Sequence, residues 1–232
     1  MKVSHFLFSF LLTFCIQGLS AKNPSLDKTK RAYKVKDFHS IELNGSYQVV
    51  LTQEDFKEVL IEAPEQVHDA IEVKVQRGVL VFRLDTKNAI FKKTKIYISN
   101  SEFRSIHIKG AAHVWSKTGV RGEYLDLLTS GAGELDLEVE VDDLVAEIHG
   151  AGSIKLRGEA ETSKMNIDGA GGIKAFALEV DDLEVELNGA GTAQVYARDD
   201  LEVEIRGIGQ VTYEGEPDIH KEITGLGRLK RR

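Results

Sequence analysis

"VDDLVAEIHGAG" (141–152), "VDDLEVELNGAG" (180–191) and "RDDLEVEIRGIG" (198–209) are three near-copies of one phrase. Each closes on a Gly-x-Gly corner, and the corner recurs more widely than the phrase. It stands at Gly131-Ala132-Gly133, Gly150-Ala151-Gly152, Gly169-Ala170-Gly171, Gly189-Ala190-Gly191, Gly207-Ile208-Gly209 and Gly225-Leu226-Gly227. Gly110-Ala111-Ala112 is a degenerate member in front. Successive first glycines lie 21, 19, 19, 20, 18 and 18 residues apart. A near-constant spacing of this length marks a solenoid.

Alignment on the first glycine gives columns of like residues. Two places before it stand Ile108, Thr129, Ile148, Ile167, Leu187, Ile205 and Ile223. Four places before it stand Ile106, Leu127, Ala146, Met165, Val185, Val203 and Lys221. Four places after it stand Val114, Leu135, Ile154, Ile173, Ala193, Val211 and Leu229. The residues between these columns are mostly polar. Alternation of period two predicts strands with one buried face. Each coil then reads as strand, glycine corner, strand, turn. Antiparallel hairpins do not hold a register of this length, and a flexible glycine linker would not be flanked at once by apolar alternation. The coil is therefore expected to stack on itself as an all-β parallel β-helix of period about 19, rising about 4.8 Å per rung and about 30 Å over seven corners.

The front of the chain is less regular. "SIELNGSYQVVLTQ" (40–53) reads as one coil cornered at Gly45, and "KEVLIEA", "AIEVKVQRGVLVFRL" and "TKIYIS" supply further strands. Gln76-Arg77-Gly78 is a turn signal, and "PEQVHDA" (64–70) suits one helical turn. No linker separates the two parts, so residues 33–232 are expected to form a single domain. Within it, 33–109 hold the irregular coils and 110–232 the regular ones.

The N-terminus reads as a secretory signal spanning 1–21: Lys2, an apolar run from Phe6 to Ile16, then the small residues Gly18, Ser20 and Ala21. That run is too short for a membrane span of about 20 apolar residues. Cys15, the only cysteine, lies inside it, so the exported chain is expected to carry neither disulfide nor thiolate metal site. Residues 22–32 are polar and are expected to be a disordered leader. The 232 residues carry a formal charge of −7 with no dominant basic patch, which argues against a nucleic-acid partner.

The serial "GAG" corners, "LNGSYQVVLTQ" near the start and "VTYEGEPDIHKEITGLGRL" near the end resemble the auto-transporter adhesin head domain family, also called the GIN domain, of bacterial envelope proteins. The run Tyr213-Glu214-Gly215-Glu216-Pro217 is its specific signature here. The resemblance covers about Phe38 to Leu229. It implies a right-handed parallel β-helix, export, and a role at the cell surface. No segment after Arg232 is expected to supply an outer-membrane barrel, so another export route is assumed.

Chemistry-bearing motifs are sparse. Six histidines follow the signal (His39, His68, His107, His113, His149 and His220) without HExxH or short His-x-His spacing. His107 and His113 flank one corner, yet scattered strand histidines read as surface residues, and no metal or cofactor is expected. There is no G-x-S-x-G elbow, and no phosphate-loop Lys-Ser/Thr follows any corner. "GAGG" (169–172) precedes a strand rather than a helix, so it is no dinucleotide fingerprint. Trp115, Tyr47, Tyr196 and Tyr213 are the aromatic candidates for sugar stacking.

The strongest pattern outside the core is acidic. Eight places before the corner stand Glu123, Asp142, Glu161, Asp181 and Asp199; seven before stand Tyr124, Asp143, Thr162, Asp182, Asp200 and Asp218. Stacking makes these a ridge, with Asp142, Asp143, Asp181, Asp182, Asp199 and Asp200 as candidate binding residues. Glu147, Glu186, Glu204 and Glu222 add a column three places before the corner. Beyond the corner Lys155, Lys174 and Lys230 share a column of opposite sign. The plainer reading is that Asp forms turns well and a solvated edge needs charge. Together these features predict an exported, non-enzymatic, adhesin-like binding or structural module of the periplasm, cell surface or medium. Its partner would be an envelope or extracellular glycan or protein, with no transmembrane anchor after signal cleavage. A glycan-active β-helix enzyme and a self-assembling scaffold are the alternatives. A carboxylate pair on a protruding loop would favour the first, and exposed apolar residues on the last rung the second.

Overall fold

The computed structural model describes residues 28–84 and 94–232; the signal segment and Cys15 fall outside them. The front comprises β1 (Lys28–Ala32), β2 (Ser40–Gly45), β3 (Gln48–Gln53), β4 (Glu58–Pro64), α1 (Glu65–Ala70), β5 (Ile71–Gln76), β6 (Val79–Leu84), β7 (Lys95–Asn100), β8 (Ser105–Gly110) and β9 (His113–Ser116). The regular part follows as β10 (Val120–Gly131), β11 (Glu134–Gly150), β12 (Ser153–Gly169), β13 (Gly172–Gly189), β14 (Thr192–Gly207), β15 (Gln210–Glu214), β16 (Asp218–Gly225) and β17 (Arg228–Arg231). The described residues are 76% strand, a β-solenoid of about 7 turns with a repeat of about 19 residues.

Corner glycines stack rung on rung in parallel register: Gly45 on Gly110, then Gly131, Gly150, Gly169, Gly189, Gly207 and Gly225. The inward columns are those the alternation predicts. Ile108, Thr129, Ile148, Ile167, Leu187 and Ile205 are fully buried, as are Ile106, Leu127, Ala146, Met165 and Val185.

The two glycines of a corner answer different demands. Gly169 holds φ +129°, and a Cβ there would lie 2.5 Å from the Gly150 carbonyl oxygen of the rung before. Only glycine takes this conformation without strain. Gly171 has no such torsion; a Cβ there would meet Ile148 Cγ2 at 2.5 Å. The second glycine thus makes room for the branched side chain beneath it. In the first coil this position is Tyr47, buried with its ring centre 6.5 Å from that of Phe82.

The front departs from sequential winding. β2 pairs with both β6 and β8, and β3 with both β7 and β9, so a later segment stacks ahead of an earlier one. Antiparallel strands then cover both front edges, β5 on β6 and β4 on β7, with β1 outermost on β4. The β5–β6 turn carries Arg77 at φ 51° and Gly78 at φ 79°, the paired positive torsions of a tight hairpin. α1 is the expected single turn of helix, and its Val67 joins the core.

The polar leader is corrected at its end. Lys28–Ala32, expected to be disordered, form β1, whose five residues are all exposed. Backbone pairing to β4 holds it, aided by ion pairs of Lys28 and Lys30 with Glu62 and of Arg31 with Glu65. A strand held this way buries no side chain and leaves no alternation to read.

Candidate functional site

The acidic columns do stack. Tyr124, Asp143, Thr162, Asp182, Asp200 and Asp218 follow one another in register. The ridge is less uniform than the alignment implies. Thr162 separates Asp143 from Asp182 and donates a hydrogen bond to Asp143 at 2.5 Å. In the neighbouring column the register shifts between Val180 and Asp182, so Asp181 lies against the extra residue of the next rung. Arg198 fills that bulge, bonding Asp181 at 2.9 Å and also Glu179. Asp142 and Asp199 remain exposed at the coil edge.

The ridge is one wall of a groove of about 600 Å³ whose lining comes from six rungs. Tyr124, Asp143, Thr162, Asp182 and Asp200 form that wall, and Lys164, Glu184, Glu202 and His220 the other. Leu144, Ser163 and Leu183 make the floor. Strand geometry dictates this arrangement: outward residues two apart flank one inward residue, and stacking extends the trio along the solenoid. Ser163 replaces a leucine-sized neighbour and notches the floor; its hydroxyl is buried without a partner. The second wall was not singled out in the sequence, although the column five places before the corner holds it. That column mixes Asp126, Val145, Lys164, Glu184, Glu202 and His220, so no residue type repeats.

Charge in the groove is unbalanced. Lys164 bonds Glu184 at 2.7 Å and Glu186 at 2.9 Å, and these bonds hold its ammonium well above the lysine range. Among the described residues Asp182, Asp200 and Glu202 have no ion-pair partner. Burial, then the charges of Asp126, Glu147 and Asp143, raise the Tyr124 phenol above its ordinary value.

A second, shallower patch lies past the corner. Gln48, His113, Trp115, Ser116, Asp136 and Arg157 line about 370 Å³. Trp115 faces outward and is half-buried, with Lys95 Nζ 5.3 Å from its ring centre. Asp136 sits between Lys155 at 3.1 Å and Arg157 at 2.5 Å. Burial opposes ionisation there, but the bonds to Lys155 and Arg157 prevail and keep its carboxyl below the usual range. Of the other aromatic candidates, Tyr47 is core, while Tyr196 and Tyr213 are half-buried on late rungs. His107 and His113 do not converge: His107 bonds Asp126 at 2.7 Å, and His113 packs on Trp115. No cluster of three metal-ligating side chains occurs among the described residues.

With the stacked corners and the groove in view, residues 37–217 match the family described as "Putative auto-transporter adhesin, head GIN domain". The chain belongs to this family. It is similar to a crystal structure described as a putative adhesin from Bacteroides fragilis NCTC 9343, at 28% identity and TM-score 0.85, covering 90% of this chain and 99% of that one. A putative adhesin from Parabacteroides merdae ATCC 43184 matches at 22% identity and TM-score 0.74, covering 89% and 96%. A protein described as putative lipid binding, from Parabacteroides distasonis ATCC 8503, matches at 21% identity and TM-score 0.73, covering 89% and 97%. At these last two identities the likeness is one of fold. Among curated proteins none matches. The GIN-domain chain is thus adhesin-like by family, and among its described residues no helix is long and apolar enough to cross a membrane.

Proposed function

We propose that this GIN domain is an exported, non-enzymatic binding module of the cell envelope, and that it holds an extended cationic ligand, such as a basic polypeptide segment, in the groove. The observation that carries the reading is the groove's charge. Asp143, Asp182, Asp200, Glu184 and Glu202 face one cation, Lys164, which two glutamates already engage. Repetition supports an extended ligand, because Asp143, Asp182 and Asp200 lie along one column, the last two on adjacent rungs about 4.8 Å apart. Leu144 and Leu183 in the floor offer apolar contact between charged groups.

Binding of oligolysine, oligoglutamate and neutral peptides tests this, with a glycan panel alongside. Oligolysine should bind, weaken as salt rises, and be lost in the combined Asp143→Asn, Asp182→Asn and Asp200→Asn variant. Glycan binding that survives this variant but not Trp115→Ala would move the site to the tryptophan patch and overturn the reading. Export is checked by the mass of the protein from its host. An N-terminus at Ala21 or Lys22 supports it, and an intact Met1 in the envelope fraction contradicts it.

A further inference from the structure

The last rung differs from every rung before it. All eight residues of β16 are exposed, and no described strand pairs with the outer edge of β16 or β17. Ile219 and Ile223 continue inward columns yet stand 39% and 37% exposed. The corner changes as well. Its middle residue is alanine from Ala111 through Ala190, then Ile208 and Leu226, which are 66% and 79% exposed. Apolar surface has thus been placed on a rung whose edge strands have no described partner, and such an edge ordinarily invites pairing with another chain.

We infer that two copies of this chain join tail to tail across this rung, with the twofold axis through the Leu226 corner. β16 runs toward that corner and β17 away from it. A twofold axis there lays β16 of one copy antiparallel to β17 of the other, twice. Residues equidistant from Leu226 then oppose each other, and the register is self-complementary. Ile223 meets the partner copy's Leu229, and both positions belong to inward columns. Glu222 meets Lys230 of the other copy, and both positions face outward. Neither Glu222 nor Lys230 has an ion-pair partner among the described residues. Leu226 meets its own symmetry mate on the axis. The tube and its in-out alternation continue through the joint except at Lys221 and Arg231, which stand in inward columns. Lys221 opposes Arg231, a like-charge pair relieved in part by the Arg231–Glu216 bond at 3.0 Å; it makes the joint reversible rather than permanent.

The joint closes on itself. A growing fibre needs the tail of one copy to stack on the front of the next. The front edges are β5 and β1, which are antiparallel additions outside the rung register and carry Lys74, Lys28 and Lys30. An isologous contact of this kind gives a dimer and stops.

Sedimentation equilibrium on the full chain tests the inference. The wild-type protein should be a concentration-dependent dimer. Glu222→Lys and Lys230→Glu, both at exposed positions, should each weaken it about tenfold through two like-charge contacts per joint. Glu222→Lys combined with Lys230→Glu should restore it, since the pair is re-formed with charges exchanged. Leu226→Asp should give monomer with unchanged circular dichroism. A wild-type monomer at all concentrations, open-ended growth, or a double variant no tighter than the singles would overturn it. A dimer insensitive to all three substitutions would place the contact elsewhere and overturn it equally.

Discussion

The two ends of the solenoid solve the same problem in opposite ways. A stack of rungs must stop, and each terminal rung leaves open backbone edges and an open core. At the front, β5 and β4 add antiparallel to the edges, and Tyr47, Phe82 and Phe103 fill the core with aromatic bulk. At the tail nothing described covers β16 and β17, and isoleucines that are core one or two rungs earlier meet solvent. A column position is therefore not an energy. Ile205 and Ile223 occupy the same column, but only Ile205 has a rung above it.

Paired substitutions along that column sharpen the contrast. Leu187→Asp removes a fully buried side chain and buries an unpaired charge, and should cost roughly 4 kcal/mol or more, enough to unfold the stack in a urea titration. Ile223→Asp, in the same column at the tail, should lower the monomer's unfolding free energy by less than about 1 kcal/mol. Equal costs would break the comparison.

Gly169→Ala comes next. Its φ of +129° and the 2.5 Å approach to the Gly150 carbonyl should cost about 2–3 kcal/mol. Gly122→Ala, with nothing within 4 Å of the added methyl and no positive φ, should leave the midpoint unchanged or raise it. Thr129→Val should stabilise by about 1 kcal/mol, because the Thr129 hydroxyl is fully buried with no partner in a column of isoleucines. Thermal unfolding resolves both.

The smallest effects belong to the acidic wall. Asp182, Asp200 and Asp218 are consecutive in register, and unit charges about 4.8 Å apart repel by roughly 0.9 kcal/mol in a water-like dielectric. Asp182→Asn with Asp200→Asn should raise the melting temperature by a degree or two in chelator and flatten the response to salt. Millimolar Ca²⁺ should act like matched ionic strength, since an open wall offers few oxygens per ion. A lower melting temperature would mean that these carboxylates serve the turn.

The regular coils were legible because one constraint, stacking, repeats its chemistry in every rung. Glycine is needed twice per corner, and inward positions recur at fixed offsets from it. The front was only partly legible. The Gly45 coil and the Arg77-Gly78 turn carry local signals, but the placement of β6 and β7 ahead of β2 and β3 leaves none. Strand order in space is not written in the alternation. β1 was missed because ion pairs and backbone bonds hold it. The groove was half legible: Asp143, Asp182 and Asp200 repeat a residue type, whereas Lys164, Glu184 and Glu202 share only a position. The break at Arg198 follows from a one-residue bulge that the Asp-Asp repeat conceals.

Hydrogen exchange measured rung by rung separates a stack closed at the front and open at the tail from a uniform one. In dilute solution amides of β8 to β14 should be the most protected, and those of β4 to β7 nearly as slow. Amides of β16 and β17 should exchange orders of magnitude faster, because the outer rung opens without breaking the stack beneath it. Raising the protein concentration should slow β16 and β17 alone. Protection that is uniform from β4 to β17 when dilute, or a front that exchanges faster than the tail, would contradict the account.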